Sequence, residues 1–273
     1  MALWVNGRMV AEDEPVIRAD DHGLVVGDGV FETCEIQDGV VFALTRHLRR
    51  LHVSAAGLGL DVDDEFIRAG VDAVLAEQPR RARLRITVTA GPSPYGSDRG
   101  NGPLTVMVAT APLHDWPPTT DVAVVPWVRN ERAATAGLKT TSYADNVVAL
   151  SWAKKRGAAE AIFANTRDEL CEGTGSNVFV EFEGKLVTPP LSSGCLGGIT
   201  RELLLEWLPG EIGERVVPVE ALAASQEAFI TSTTRGVLPI RAVDGVALPN
   251  APGPLSRRAA EVFVERAAAN PDP

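Results

Sequence analysis

The chain has 273 residues, 45% of them hydrophobic, and a formal net charge of −10. That is enough for two modest domains, and it leaves no basic field to grip a nucleic-acid backbone. Cys34, Cys171 and Cys195 contain no CxxC pair, which excludes a disulfide framework and suits free thiols in a reducing compartment. Acids interrupt the N-terminal MALWVNGRMVAEDE and no apolar run reaches the length of a membrane span, so a soluble, cytoplasmic enzyme is expected.

In chain order, Ala2 to Val5 and Arg8 to Ala11 read as strands about an Asn6-Gly7 turn, a dipeptide suited to type I′ geometry. The glycine-rich DHGLVVGDGVFE lacks GxGxxG spacing and has no helix after it, so a dinucleotide or P-loop site is excluded. Val30 to Ile36 and Val40 to Leu44 form a second hairpin, and Thr45 reads as the N-cap of a helix over Arg46 to Leu58. Leu48, Leu51, Ala55 and Leu58 share one face of that helix, with Arg50 close to it.

Residues 63 to 77 carry a second amphipathic helix pattern. Strands Leu84 to Ala90 and Leu104 to Ala111 flank the loop GPSPYGSDRGNG. The prolines between Pro112 and Pro118 break regular structure, which predicts a small domain over 1–113, a linker over 114–121 and a large domain over 122–273.

Beyond the linker, Val122 to Val128 is a buried-strand pattern and Ala144 to Lys155 a helix. Ala161 to Ala164, Asn177 to Phe182, Leu186 to Thr188 and Ala228 to Thr231 follow as strands, with a helix near Ala221 and a last one over Leu255 to Ala268. Gly197-Gly198 stands immediately before the helical Ile199-Thr200-Arg201-Glu202, an arrangement that exposes backbone N–H groups to an anion.

Chemistry centres on Lys139 in Leu138-Lys139-Thr140-Thr141-Ser142-Tyr143. Only four lysines, Lys139, Lys154, Lys155 and Lys185, stand among 26 basic residues. Arginine serves wherever a solvated charge suffices, whereas a lysine amine can act as a nucleophile toward carbonyl compounds. The four histidines make no zinc spacing, no GxSxG elbow is present, and Asp61, Asp63 and Asp64 lack the remainder of a calcium loop. What remains is an amine, an arginine beside a buried helix face, a glycine-preceded helix start, a Thr-Thr turn and Glu172 in CEGTGSN. An aldehyde-bearing cofactor with a phosphate and a basic ring nitrogen needs those partners, and pyridoxal 5′-phosphate is that cofactor.

DHGLVVGDGVFE, RHLRRL, LKTTSYADNVVA, EGTGSNVF, GGITRELLLE and STTRGVLPI follow one another in family order, and together the chain resembles the class IV aminotransferases. These are fold-type IV enzymes that include D-amino-acid transaminases, branched-chain aminotransferases and 4-amino-4-deoxychorismate lyases. The resemblance implies a two-domain α/β (α+β) fold with a small N-terminal domain, a larger pseudo-barrel C-terminal domain, the cofactor in the cleft between them, and a homodimer. It assigns Lys139 to the Schiff base, Glu172 to the ring nitrogen, and Arg50, Ile199, Thr200 and Thr233 to the phosphate. It also implies that Thr234 lies at the turn facing the substrate carboxylate, and Phe31 stands where D-amino-acid transaminases tend to carry a tyrosine.

Those enzymes also carry an Arg-x-His carboxylate trap, which is absent here, leaving Arg235 or Arg99 to supply the charge. The resulting expectation is a transaminase of D-amino-acid type with a non-standard carboxylate site, acting on a small amino acid or amine and a 2-oxo acid. The lyase, releasing pyruvate and 4-aminobenzoate, is the alternative. A non-catalytic pyridoxal-phosphate-binding protein is a third, opposed by the intact Lys139 and Glu172.

Overall fold

The computed structural model describes residues 1–273, which divide into two compact units. The first comprises Met1–His114, Leu138–Tyr143 and Pro271–Pro273; the second comprises Asp115–Gly137 and Ala144–Asn270. No helix is long and apolar enough to cross a membrane.

The first unit runs β1 (Leu3–Val5), β2 (Arg8–Met9), α1 (His22–Val25), β3 (Gly29–Gln37), β4 (Val40–Val41), α2 (Leu44–Leu58), α3 (Asp64–Leu75), β5 (Arg81–Thr89) and β6 (Thr105–Pro112). Its six strands form an antiparallel sheet in the order β2-β1-β6-β5-β3-β4. Alternation on the strands decides its two faces. Val30, Cys34, Ile36, Leu84, Ile86 and Val88 join Leu48, Leu51, Ile67 and Val71 of α2 and α3 in one core. Phe31, Thr33, Arg83, Arg85 and Thr87 fall at the intervening positions, on the opposite face.

Strand β5 therefore begins three residues before the expected Leu84, because Arg81 and Arg83 continue the period of two and their side chains do not need the core. The glycine-rich stretch holds one helical turn, α1, whose Asp21 cap accepts from the Gly23 N–H at 2.9 Å.

Thr45 is not the N-cap of α2. The helix begins at Leu44 behind Ala43, which has φ 53° and no side-chain cap. Asp272 takes over the capping: its carboxylate accepts from the Thr45 N–H at 2.9 Å and from the Thr45 hydroxyl at 2.6 Å. The Ala43 N–H also bonds to the Pro271 carbonyl at 2.7 Å. A cap 227 residues away cannot be read from local sequence. Asp272→Ala is expected to lower unfolding stability by about 1 kcal/mol, the ordinary worth of a cap, measured by urea titration against the parent.

The second unit runs β7 (Thr120–Arg129), α4 (Ala144–Lys154), β8 (Glu160–Asn165), β9 (Leu170–Gly173), β10 (Asn177–Phe182), β11 (Lys185–Thr188), α5 (Ile199–Trp207), β12 (Ile212–Glu214), α6 (Ala221–Ala224), β13 (Ala228–Ser232), β14 (Gly236–Val243), β15 (Val246–Ala247) and α7 (Pro254–Ala269). Its mixed sheet is ordered β12-β11-β10-β13-β14-β7-β8-β9, with β15 on β14. Val122, Ile162, Val178, Val180, Ile230 and Ile240 fill one core, and Ala149 and Ala153 of α4 cover Ala123, Val125 and Phe163 in another. The sequence reading names none of β9, β12 and the eight-residue β14, of which β14 follows directly on the Thr233–Thr234 turn.

Candidate active site

In the first unit, the backbone of Lys139 is fixed from both sides. Its N–H donates to Ser54 Oγ on α2 at 3.0 Å, and its carbonyl accepts the Phe31 N–H of β3 at 3.0 Å. Thr140 bridges to Val30, so this short segment extends the sheet along the edge of β3. Leu138 lies against Gly57, where an added Cβ would come within 2.6 Å of it. Lys139 Nζ stands 4.5 Å from the centroid of the Phe31 ring, and Tyr143 meets that ring edge-on at 5.1 Å.

Arg50 reaches from α2 to the core face of β3, where Glu32 takes it in a fork: Nε to Oε1 at 2.8 Å and Nη2 to Oε2 at 2.7 Å. His47, one helical turn earlier, places Nδ1 2.6 Å from Glu32 Oε2. Glu32 and His47 are fully buried. Burial pushes the Glu32 carboxyl up, but the charges and hydrogen bonds of Arg50 and His47 outweigh it and hold the group well below the ordinary carboxylate range. Burial drives the His47 imidazole down against the pull of Glu32. The plane of the Arg50 guanidinium is thus set by a carboxylate that is charged at all ordinary pH values.

Arg99, one of the two arginines left open by sequence, pairs with Asp28. Its Nε and Nη2 each lie 2.5 Å from Asp28 oxygens. Asp28 also faces His22 Nδ1 at 2.8 Å, while His22 Nε2 lies 2.8 Å from the Gly96 carbonyl. Both ring nitrogens face acceptors, so the buried imidazole is held as a cation, its pKa raised by the Asp28 hydrogen bond and then by Gly96.

A raised folded pKa contributes stability that is complete below the unfolded value near 6.5 and is lost as pH rises through the folded one. His22→Gln should accordingly melt below the parent at pH 6, with the gap narrowing as pH rises above the unfolded value. A gap that widened with pH would contradict this pairing.

In the second unit, Glu172 on β9 accepts from Arg129 Nε at 3.1 Å and from the Leu196 N–H at 2.9 Å. Arg129 Nη2 continues to Asn146 Oδ1 of α4 at 2.9 Å, and its guanidinium carbon lies 4.3 Å from the Phe163 centroid. Ile199 and Thr200 open α5 behind Gly198, which offers no side-chain cap. Asn177 bonds to the Leu196 carbonyl at 2.8 Å, and a Cβ on Gly198 would come within 1.9 Å of its Oδ1. Register sets Asn177 opposite Thr231 on β13, and Thr233, Thr234 and Arg235 form the turn into β14. Arg235 is ion-paired to Glu160. Hence both arginines suggested by the sequence already carry a carboxylate.

Sequence reading missed Arg85. It lies on β5 opposite Thr33 and stacks its guanidinium carbon 3.4 Å from the Phe31 centroid. Nε donates to Thr87 Oγ1 at 3.1 Å, and no carboxylate stands within ion-pair distance. Burial pushes its pKa down to about 10, which leaves it charged at neutral pH. The alternation Arg83-Leu84-Arg85-Ile86 is the sequence signal that sets it on the sheet face carrying Phe31.

The family model for amino-transferase class IV matches residues 29–243. The chain belongs to the class IV aminotransferases. It is 34% identical to the D-alanine aminotransferase of Bacillus licheniformis over 271 residues, covering 94% of each. The crystal structure of Escherichia coli branched-chain amino acid aminotransferase superposes with a TM-score of 0.89 at 28% identity, covering 97% of this chain and 93% of that one. The PLP-bound form of a hypothetical aminotransferase from Mycobacterium tuberculosis gives 0.86 at 26% identity, with 100% of both chains covered.

The fold is therefore the fold-type IV α/β architecture, and the cofactor of this class IV aminotransferase is pyridoxal 5′-phosphate. Residues of the second unit fit its phosphate. The hydroxyls of Ser176, Thr200 and Thr231 are buried without any hydrogen-bond partner, a costly state that an oxygen-rich anion relieves. Thr200 stands at a helix N-terminus, where N–H groups and the helix dipole favour negative charge.

Proposed function

We propose that this aminotransferase moves the amino group of a carboxylate-bearing amino acid to a 2-oxo acid, with Arg85 as the substrate-carboxylate anchor in place of an Arg-x-His trap. The observation that carries the reading is Arg85 itself: a largely buried guanidinium without an anion, on the same aromatic ring as Lys139 Nζ. A buried charge without a partner is unfavourable, and a substrate carboxylate supplies one. Donors of D-alanine and D-glutamate type are proposed first, supported by the 34% identical D-alanine aminotransferase.

When bound, pyridoxal phosphate supplies the electron sink that makes the substrate Cα proton removable. Lys139 would hold the cofactor aldehyde between turnovers and, as a freed amine, carry the Cα proton. Glu172, kept in place by Arg129 and the Leu196 N–H, would hold the ring nitrogen protonated. Arg50, Ile199, Thr200 and Thr233 would receive the phosphate, and Thr234 would assist at the substrate carboxylate. A homodimer in the cytoplasm completes the proposal. It is supported by Trp127, Val128, Val147 and Val148, apolar side chains between 44% and 65% exposed on β7 and α4, and by three buried free thiols.

Arg85→Leu tests the reading. A charge-assisted hydrogen bond is worth about 1.5–3 kcal/mol, so KM for D-alanine or D-glutamate should rise roughly tenfold or more. A primary amine lacking a carboxylate should be unaffected. Equal losses on both would remove Arg85 from the substrate site. Turnover of L-branched-chain donors with D-amino acids inert would overturn the stereochemistry. Release of pyruvate from aminodeoxychorismate without an acceptor would establish the lyase.

A further inference from the structure

Glu160, the first residue of β8, is 1% exposed and has no part in the chemistry just described. It forms close contacts with the guanidinium of Arg235 and the hydroxyl of Thr174, and accepts the Gly175 N–H at 3.2 Å. These partners come from two separate turns. Thr174 and Gly175 lie directly after Glu172-Gly173, and Arg235 ends the Thr233-Thr234 turn, its own N–H bonded to the Ser232 carbonyl at 3.1 Å. A Cβ on Gly173 would stand 3.2 Å from Glu160 Oε1, so the first turn lies directly against the carboxylate. Trp116 covers the other side of Arg235, with its ring centroid 4.4 Å from the guanidinium carbon.

We propose that Glu160 is a positioning residue which, with Arg235 as its counter-ion, fastens the Glu172–Ser176 turn and the Thr233–Thr234 turn to one another, so that the Arg235 charge is directed at the protein and not at substrate. The inference rests on the roles proposed above for Glu172, Thr233 and Thr234. Its physical basis is the cost of a buried carboxylate without its counter-ion: removing Arg235 leaves Glu160 held only by Thr174 and Gly175, and the turns packed around it bear the loss. A carboxylate with three donors from two loops behaves as a coupled unit, so damage at either member reaches both loops.

The test uses holoenzymes of the parent, Glu160→Gln, Arg235→Met, the double variant and Arg235→Lys. Glutamine keeps an acceptor for Thr174 and Gly175 but removes the charge that pairs with Arg235. Three quantities are read: the rate of cofactor release after dilution, KM and kcat with one amino donor, and amide exchange of peptides spanning 172–177 and 232–236. Each of the first two single variants should release cofactor and raise KM by on the order of tenfold, with kcat at saturation within about twofold of the parent. Both peptides should lose protection together, and the double variant should be no worse than the more affected single. Arg235→Lys should recover part of the loss, since an ammonium can still pair with Glu160.

Multiplying losses in the double variant, or exchange confined to one turn, would overturn the coupling. Loss of carboxylate donors alone in Arg235→Met would return Arg235 to the substrate. Should Glu160→Gln not fold, the comparison of Arg235→Lys with Arg235→Met decides by the same readings. A parent enzyme without cofactor on Lys139 would instead defeat the proposed function, an outcome visible before any of these variants is made.

Discussion

Glu172→Gln is expected to retain the cofactor and to lose about 10²–10³ in turnover, the usual worth of a fixed charge aimed at charge that develops during reaction. Glutamine preserves the shape of the side chain and an acceptor for the Leu196 N–H, so the turn that follows should hold its place. What disappears is the negative charge beside Arg129 and, in the proposed role, the reason for the ring nitrogen to stay protonated. The Arg129 guanidinium then faces a neutral amide. Arg129→Met should act in the same direction but less, because it removes one contact that orients Glu172 and leaves the carboxylate itself. Steady-state kinetics with cofactor content measured in parallel separates these outcomes from simple cofactor loss. A Glu172→Gln enzyme with parental turnover would take Glu172 out of the catalytic set.

Lys139→Ala should remove the covalent hold on the cofactor and the proton carrier together. General acid–base transfer by a positioned side chain contributes about 10²–10⁴ in rate, so residual turnover should fall at least that far. The fold should survive, since Lys139 is anchored through its backbone to Ser54 and Phe31, contacts that alanine keeps. Two further readings distinguish the chemistry from incidental damage. An added small primary amine should restore part of the activity, and Lys139→Arg, which keeps the charge but not the nucleophile, should be as inactive as alanine. A Lys139→Arg enzyme with parental turnover would contradict the role.

Much of the fold is legible in the sequence. Lys139 stands out because arginine fills nearly every other basic position, and β3, α2 and α3 announce themselves through periods of two and of about 3.6. Glu172 and Thr200 are conspicuous because short hydroxyl- and glycine-rich runs surround them. The opacity lies in pairings across sequence. Arg99 and Arg235 look like unassigned cations until Asp28, 71 residues away, and Glu160, 75 residues away, are found beside them. Arg85 looks like one more arginine in a basic run until the alternation of β5 sets it on the sheet face bearing Phe31 and shows that it lacks a carboxylate. Asp272 as the cap of α2, and Glu32 as the fork beneath Arg50, are likewise tertiary choices. Local propensity fixes where an element lies; it does not say which distant charge completes it.

The most direct measurement is the site of covalent attachment. Purified holoenzyme reduced with borohydride, digested and mapped by mass spectrometry should carry a single pyridoxyl adduct on Lys139, in the peptide containing Leu138 and Thr140. An adduct on Lys154, Lys155 or Lys185, or an unmodified Lys139 in enzyme that retains its cofactor, would contradict the account at its centre.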